Sequence, residues 1–144
     1  MDTTLGIDLG TQSLKVVFYD FNSREIVATA SSPLDVIRDE NGKAEQDANW
    51  WLAALQQSLQ EINEDIRMSV RAIAVSGQQH GFVPINNNGE VLHTVKLWCD
   101  TETQQECDEA CTYLKTFSVL GFDTENVAYI DGSGSYLSDA CLTV

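Results

Sequence analysis

The 144-residue chain carries 22 acidic against 8 basic side chains, a formal charge of −14, with 43% hydrophobic and 21% charged residues. So large an acidic surplus repels a phosphodiester backbone and leaves no basic stripe for counterion release, which argues against nucleic acid as a partner. No apolar run approaches the roughly 20 residues of a membrane-spanning helix, and the early acids Asp2 and Asp8 do not fit a secretory leader, so the expectation is a cytoplasmic protein with no membrane span. The length suits one domain with a real core and is short for a two-lobed enzyme.

The first elements follow from alternation. Leu5, Ile7 and Leu9 read as a strand, Gly10-Thr11-Gln12-Ser13 as a tight polar turn, and Val16 to Tyr19 as a returning strand. After the Asn22-Ser23 turn, Ile26, Val27, Ala28 and Ala30 read as a third strand, which makes an antiparallel meander. Residues 38–46, with a central Asn-Gly, read as a surface loop. Asp47 is placed to cap a helix whose apolar stripe is Trp51, Leu55, Leu59, Ile62 and Ile66. "AIAVSG", residues 72–77, is short and apolar and reads as a buried parallel strand following that crossover helix. "FVPINNNGEVLHTVKLW" reads as two strands joined at Asn-Asn-Asn-Gly, and "DTETQQECDEACTYL" as a helix capped by Thr101 or Thr103. Beyond Leu120 no periodicity is visible.

The four cysteines, Cys99, Cys107, Cys111 and Cys141, cluster in the last third and read as reduced thiols. Cys107 and Cys111 are spaced i,i+4 and with Cys99 or His93 mimic a metal set, but the spacing matches no compact zinc knuckle. Trp50 and Trp51 read as packing residues.

The hairpin is the first candidate for chemistry. Glycine at position 10 lets the backbone approach a ligand closely, and Thr11, Gln12 and Ser13 add converging N–H and hydroxyl donors suited to a phosphate. Asp8 is then placed to hold a hydrated magnesium ion beside that phosphate, and Lys15 to add positive charge. The alternative is an ordinary hairpin whose Asp and Thr satisfy turn hydrogen bonds. "SGQQHG" follows the apolar strand, at the kind of position where open α/β sheets bind ligands, and Gln78 and His80 offer both donors and acceptors. By itself His80 reads as a surface-loop or hydrogen-bonded core histidine ahead of a ligand contact.

"GIDLGTQSLKVVFYD" resembles the first phosphate motif of the FGGY carbohydrate kinases, within the actin-like ATPase superfamily. "EQDANWWLAAL" is similar to that family's "EQDP..WW", "AIAVSGQQHGFVPINNNGEVL" to "GLSGQMHG...LD..G.VL", and "KLWCDTET" to "ILWNDTRT". The motifs run in the family's order over roughly residues 4 to 110. The resemblance implies an α/β, ribonuclease-H-like domain: a mixed sheet with an antiparallel three-strand meander plus parallel strands and flanking helices. Residues 1–115 would form an incomplete N-terminal kinase domain, and 116–144 an atypical tail.

The resemblance further implies an ATP-dependent sugar kinase with Mg2+ as cofactor, small-molecule sugar and ATP as partners, and a homodimer as an option in the intact family. Asp8, Gly10, Thr11, Gln12, Ser13 and Lys15 would face the phosphates and metal, with Asp8 as metal ligand. Gln78, Gln79, His80, Trp98 and Asp100 would face the sugar, Trp98 as an apolar wall or a structural tryptophan. The His80 position points to a pentulose kinase, with D-xylulose ahead of L-ribulose, L-fuculose and glycerol; Gln79 stands where the pentulose kinases carry methionine. The family's catalytic aspartate belongs to a "GGGDN"-like motif. That motif does not occur here, nor does a second "GTS" phosphate loop, so no catalytic base is expected in this chain and little turnover from it alone. A faint "LSDA" at Ser138-Asp139-Ala140 is similar to a later family motif but stands far too early.

Overall fold

The computed structural model describes residues 2–106 and 108–109. In chain order the elements are β1 (Thr3–Leu9), β2 (Ser13–Asp20), β3 (Glu25–Pro33), β4 (Ile37–Arg38), β5 (Ala44–Gln46), α1 (Ala48–Gln60), α2 (Glu64–Met68), β6 (Val70–Gly77) and β7 (Val95–Lys96). They fall into two compact units, one made of residues up to Val36 and Asp47–Gln78, the other of Ile37–Gln46 and the described residues from Gln79 onward.

The first unit is a four-stranded mixed sheet in the order β3-β2-β1-β6. β1, β2 and β3 form the expected antiparallel meander, and β6 runs parallel to β1. Side chains alternate across a strand, so the pairs Leu5–Phe18, Ile7–Val16 and Leu9–Leu14 all fall on one face. That face is the core, where Leu5, Leu14, Val16 and Phe18 are buried. α1 packs over β2 and β3, bringing Ala54, Trp50, Trp51, Leu55 and Leu59 onto the same cluster. Its start is set by Asp47, whose carboxylate accepts the Asn49 N–H at 2.8 Å. The strand end at Asp20 is buried, which alone would raise its carboxyl pKa; N–H bonds from Asn22, Asp2 and Ser23 outweigh this and hold it below its ordinary value.

Two expectations for this unit need correction. The apolar stripe through Ile66 is not one helix: α1 ends at Gln60, and Asn63 accepts the Asp65 N–H at 2.8 Å to start α2. The stripe crosses the break because Ile62 and Ile66 pack on the same core as α1 while standing outside it. β6, expected to be buried, leaves Ile73 and Val75 exposed at 63% and 70%. It is an edge strand, beyond the cover that α1 gives β2 and β3.

The second unit holds a three-stranded sheet in the order β4-β5-β7. The expected surface loop at 38–46 instead supplies β4 and β5, with Ala44, Glu45 and Gln46 all buried. Between them Gly42 has φ 93° and accepts the Thr101 N–H at 3.0 Å; a Cβ at 42 would meet Thr101 Oγ1 at 2.2 Å. The two strands expected across 82–98 reduce to single bridges, Ile85–Val91 and Phe82–Lys96, plus the short β7. The Asn86–Gly89 turn is present, with Gly89 N–H donating to Asn86 O at 3.0 Å. A helical turn begins at 104, where the Gln104 N–H donates to Thr101 O. Residues 108–109 are helical as well; Cys107, Cys111, Cys141, Ser138-Asp139-Ala140 and the segment 116–144 lie outside the described residues. Among the described residues no helix is long and apolar enough to cross a membrane.

Candidate active site

Two backbone hydrogen bonds tie down the hairpin turn. Gly10 N–H donates to Ser13 O at 3.0 Å, closing the turn, and Leu34 N–H donates to Gln12 O at 2.8 Å, anchoring it to the end of β3. A Cβ at position 10 would stand 3.2 Å from the Ser13 carbonyl oxygen, so the closure needs the bare backbone. Because Leu5, Ile7 and Leu9 turn into the core, Asp8 turns out of the opposite face, where it is exposed. In that register its neighbours are Lys15 on β2 and Ser76 on β6. A carboxylate and an ammonium set opposite each other on adjacent strands, next to exposed Gln12 and Ser13, form a small polar platform at the sheet's end.

Gln78 joins this platform. It directly follows β6, its N–H donates to Leu9 O at 2.8 Å, and its side-chain Oε1 accepts from Thr11 Oγ1, also at 2.8 Å. Two stretches 67 residues apart thus meet: the hairpin turn and the carboxyl end of the parallel strand. Asp8, Gly10, Thr11, Gln12, Ser13, Lys15 and Gln78 all lie in this first unit.

Gln79, His80, Trp98 and Asp100 belong to the second unit. His80 is half-buried with φ 66°, a left-handed conformation rare for a side chain with a Cβ, followed by Gly81, whose Cβ would meet Val95 Cγ1 at 3.2 Å. Gln79 is exposed, and Trp98 is 56% exposed. Asp100 is 1% exposed and its carboxylate is engaged internally, accepting the Ala44 N–H at 2.7 Å and the Glu102 N–H at 3.1 Å. It therefore braces the turn that carries Trp98.

Asp100 is part of a charge network that sequence reasoning missed. Glu45, Asp100 and Glu102 converge on the Lys96 ammonium, at 3.2, 3.4 and 2.5 Å, and Lys43 pairs with Glu45 at 3.1 Å. Thr94 Oγ1 also donates to Glu45. Burial would push the Glu45 carboxyl up, but the bonds from Thr94, Lys43 and Lys96 dominate and bring it down to about 2. Burial likewise disfavours the Lys96 charge and is outweighed by Glu102, Glu45 and Asp100, which raise its pKa. The carboxylate oxygens lie within 4.8 Å of one another, as metal ligands would, but here the lysine serves as their counter-ion. No local signal announced it: Glu45 stands in a segment that reads as solvated loop, and its partner Lys96 lies far along the chain.

Residues 3–118 match the FGGY family of carbohydrate kinases, N-terminal domain. A xylulose kinase from Haemophilus influenzae is 40% identical over 111 residues, which cover 72% of this chain and 22% of that protein. Among solved structures, a xyloylose kinase from Brucella ovis superposes with a TM-score of 0.70 at 30% identity, over 83% of this chain and 26% of that one. A ligand-bound xylulose kinase from Lactobacillus acidophilus gives a TM-score of 0.63 at 26% identity, covering 87% of this chain and 24% of that one. The chain spans about a fifth of the length of the curated relatives it matches. Its mixed sheet with flanking helices is the ribonuclease-H-like fold of the actin-like ATPases, and the chain belongs to the FGGY family of carbohydrate kinases.

Proposed function

We propose that this chain is the N-terminal portion of an ATP-dependent sugar kinase that transfers the γ-phosphoryl group of ATP to the C5 hydroxyl of D-xylulose. The observation that carries the reading is the platform on which Asp8, Lys15 and the Gly10–Ser13 turn stand beside Gln78 at one end of the sheet. Its similarity to xylulose kinases supports the choice of sugar. In this reading residues 1–115 are the N-terminal domain, 116–144 are a separate tail, and no residue of the chain is assigned as catalytic base.

The turn's backbone N–H groups, with the Gln12 and Ser13 side chains, receive the phosphate oxygens, and Lys15 offsets part of their charge. Asp8 suits Mg2+: it is an exposed carboxylate beside hydroxyl-bearing residues, the hard oxygen donors that ion takes, usually with waters retained. Bound there, the ion would neutralise negative charge on the phosphates. Gln78, Gln79 and His80 provide amide and imidazole groups for the hydroxyls and carbonyl of the ketose. Trp98 contributes an apolar wall, and Asp100 holds its turn in place.

The test is the thermal stabilisation of the purified protein by MgATP and by each of D-xylulose, L-ribulose, L-fuculose and glycerol. The expected result is stabilisation by MgATP and the largest shift among the sugars with D-xylulose. Stabilisation by glycerol but by no pentulose overturns the sugar assignment, and absence of MgATP binding overturns the kinase reading itself.

A further inference from the structure

The segment "KLWCDTET", residues 96–103, departs from the motif "ILWNDTRT" by two charges of opposite sign: lysine stands at 96 for isoleucine, and glutamate at 102 for arginine. The structure brings those two side chains together, with Lys96 Nζ 2.5 Å from Glu102 Oε2. We infer that Lys96 is a positioning residue for Trp98, and that it takes over from the arginine of the motif as counter-ion to the buried Asp100. Its bearing on the sugar rests on the kinase reading above.

Trp98 lies in a four-residue turn from Leu97 to Asp100, closed where the Asp100 N–H donates to Leu97 O at 2.9 Å. Ala44 on β5 holds both ends of that turn. Its carbonyl accepts the Leu97 N–H at 2.9 Å, and its N–H donates to Asp100 Oδ2 at 2.7 Å. The second hold requires the Asp100 side chain to stay ionised and in place. At 1% exposure the residue draws little compensation from water, and the cation that the described residues set against it is Lys96, 3.4 Å from Oδ1. An ammonium only donates and a carboxylate only accepts, so the sense of this contact is fixed. Lys96 and Asp100 flank Trp98 in sequence, and their ion pair ties the two sides of the turn together.

The surrounding charges point the same way. Glu45 has a second cation, Lys43 at 3.1 Å, whereas Asp100 and Glu102 share Lys96. Without the lysine, two neighbouring carboxylates are left to repel each other at the end of the turn. An arginine at 102 would start from a backbone position already bonded to the same acid, since the Glu102 N–H donates to Asp100 Oδ1 at 3.1 Å. Lysine at 96 with glutamate at 102, and isoleucine at 96 with arginine at 102, each give Asp100 one adjacent cation.

The test exchanges the two arrangements. Lys96→Ile is expected to move the Trp98 indole N–H resonance, assigned by its loss in Trp98→Phe. Calorimetric titration should show D-xylulose binding weakened about tenfold, the scale of coupling within one ionic network, with MgATP affinity little changed. Adding Glu102→Arg to Lys96→Ile should return the resonance to its wild-type position and recover most of the sugar affinity, which a general loss of packing would not do. An unmoved indole resonance, an unchanged D-xylulose affinity in Lys96→Ile, or a double variant no better than the single one each overturns the role given to Lys96. If Lys96→Ile does not fold, the double variant decides: a wild-type indole position supports the exchange, and a displaced one, or failure of this variant to fold as well, overturns it. Absence of D-xylulose binding by the wild-type protein overturns the sugar reading, while the indole resonances still decide whether Lys96 positions Trp98.

Discussion

The two units are stabilised by different means. In the first, the buried apolar positions of β1 and β2 are Leu5, Leu14, Val16 and Phe18, and the Ser32 and Ser58 hydroxyls meet at 2.8 Å. Its one buried carboxylate among the described residues, Asp20 at the end of β2, is held by backbone N–H groups with no lysine or arginine paired to it. In the second, Glu45, Gln46 and Asp100 are as buried as Val95 and Leu97. An apolar core draws its stability from removing surface from water, which protons do not affect. A core containing paired charges depends on each carboxylate staying ionised. The first unit presents its charged platform on the outer face, opposite its apolar core, whereas in the second the charge of Glu45 is built into the buried layer, and the packing around it depends on pH.

The sharpest way to break the contrast is to damage the apolar core. Phe18→Ala removes a side chain with 0% exposure and should cost about 4 kcal/mol. Amide hydrogen exchange should show the loss in β1–β3, and retained protection there would mean the packing is less decisive than its burial indicates. Next in size is acid. Glu45 is held at about 2 against an ordinary 4.5, so it binds fewer protons folded than unfolded, and the stability it contributes is present above pH 4.5 and lost as pH falls toward 2. The loss should be on the order of 2 kcal/mol and confined to amides of β5 and β7. NMR titration to pH 2 checks this, and β1–β3 amides losing protection first would reverse the comparison. Smallest for stability is Asp8→Ala. Asp8 lies on the exposed face, so unfolding should shift by less than about 0.5 kcal/mol while MgATP affinity falls at least about tenfold. A calorimetric titration beside a thermal melt separates the two, and a collapsed melt would make Asp8 a structural residue.

What could be read in advance follows the same division. β1, β2 and β3 were legible because alternation of Leu5, Ile7, Leu9 against Asp8 reports directly which face meets the core, and α1 because Asp47 and a regular stripe announce its start. The stripe misled only at Ile62 and Ile66, where a shared core, not a shared helix, sets the spacing. Glu45 and Gln46 were not legible as buried, since what permits their burial lies far along the chain: Lys96 and Thr94 satisfy Glu45, and no local pattern encodes that distance. β6 was recognisable as a parallel strand, but its exposure depends on where α1 stops covering the sheet. At the candidate site the hairpin residues were readable as a group. The Thr11–Gln78 bond was not, because it spans 67 residues.

Gly42 and Thr101 approach so closely that no carbon atom fits between the turn at 42 and the segment leading to the helical turn at 104. Two stretches distant in sequence are consequently riveted: a displacement of one must carry the other with it. A saturation library at position 42 should return glycine almost alone.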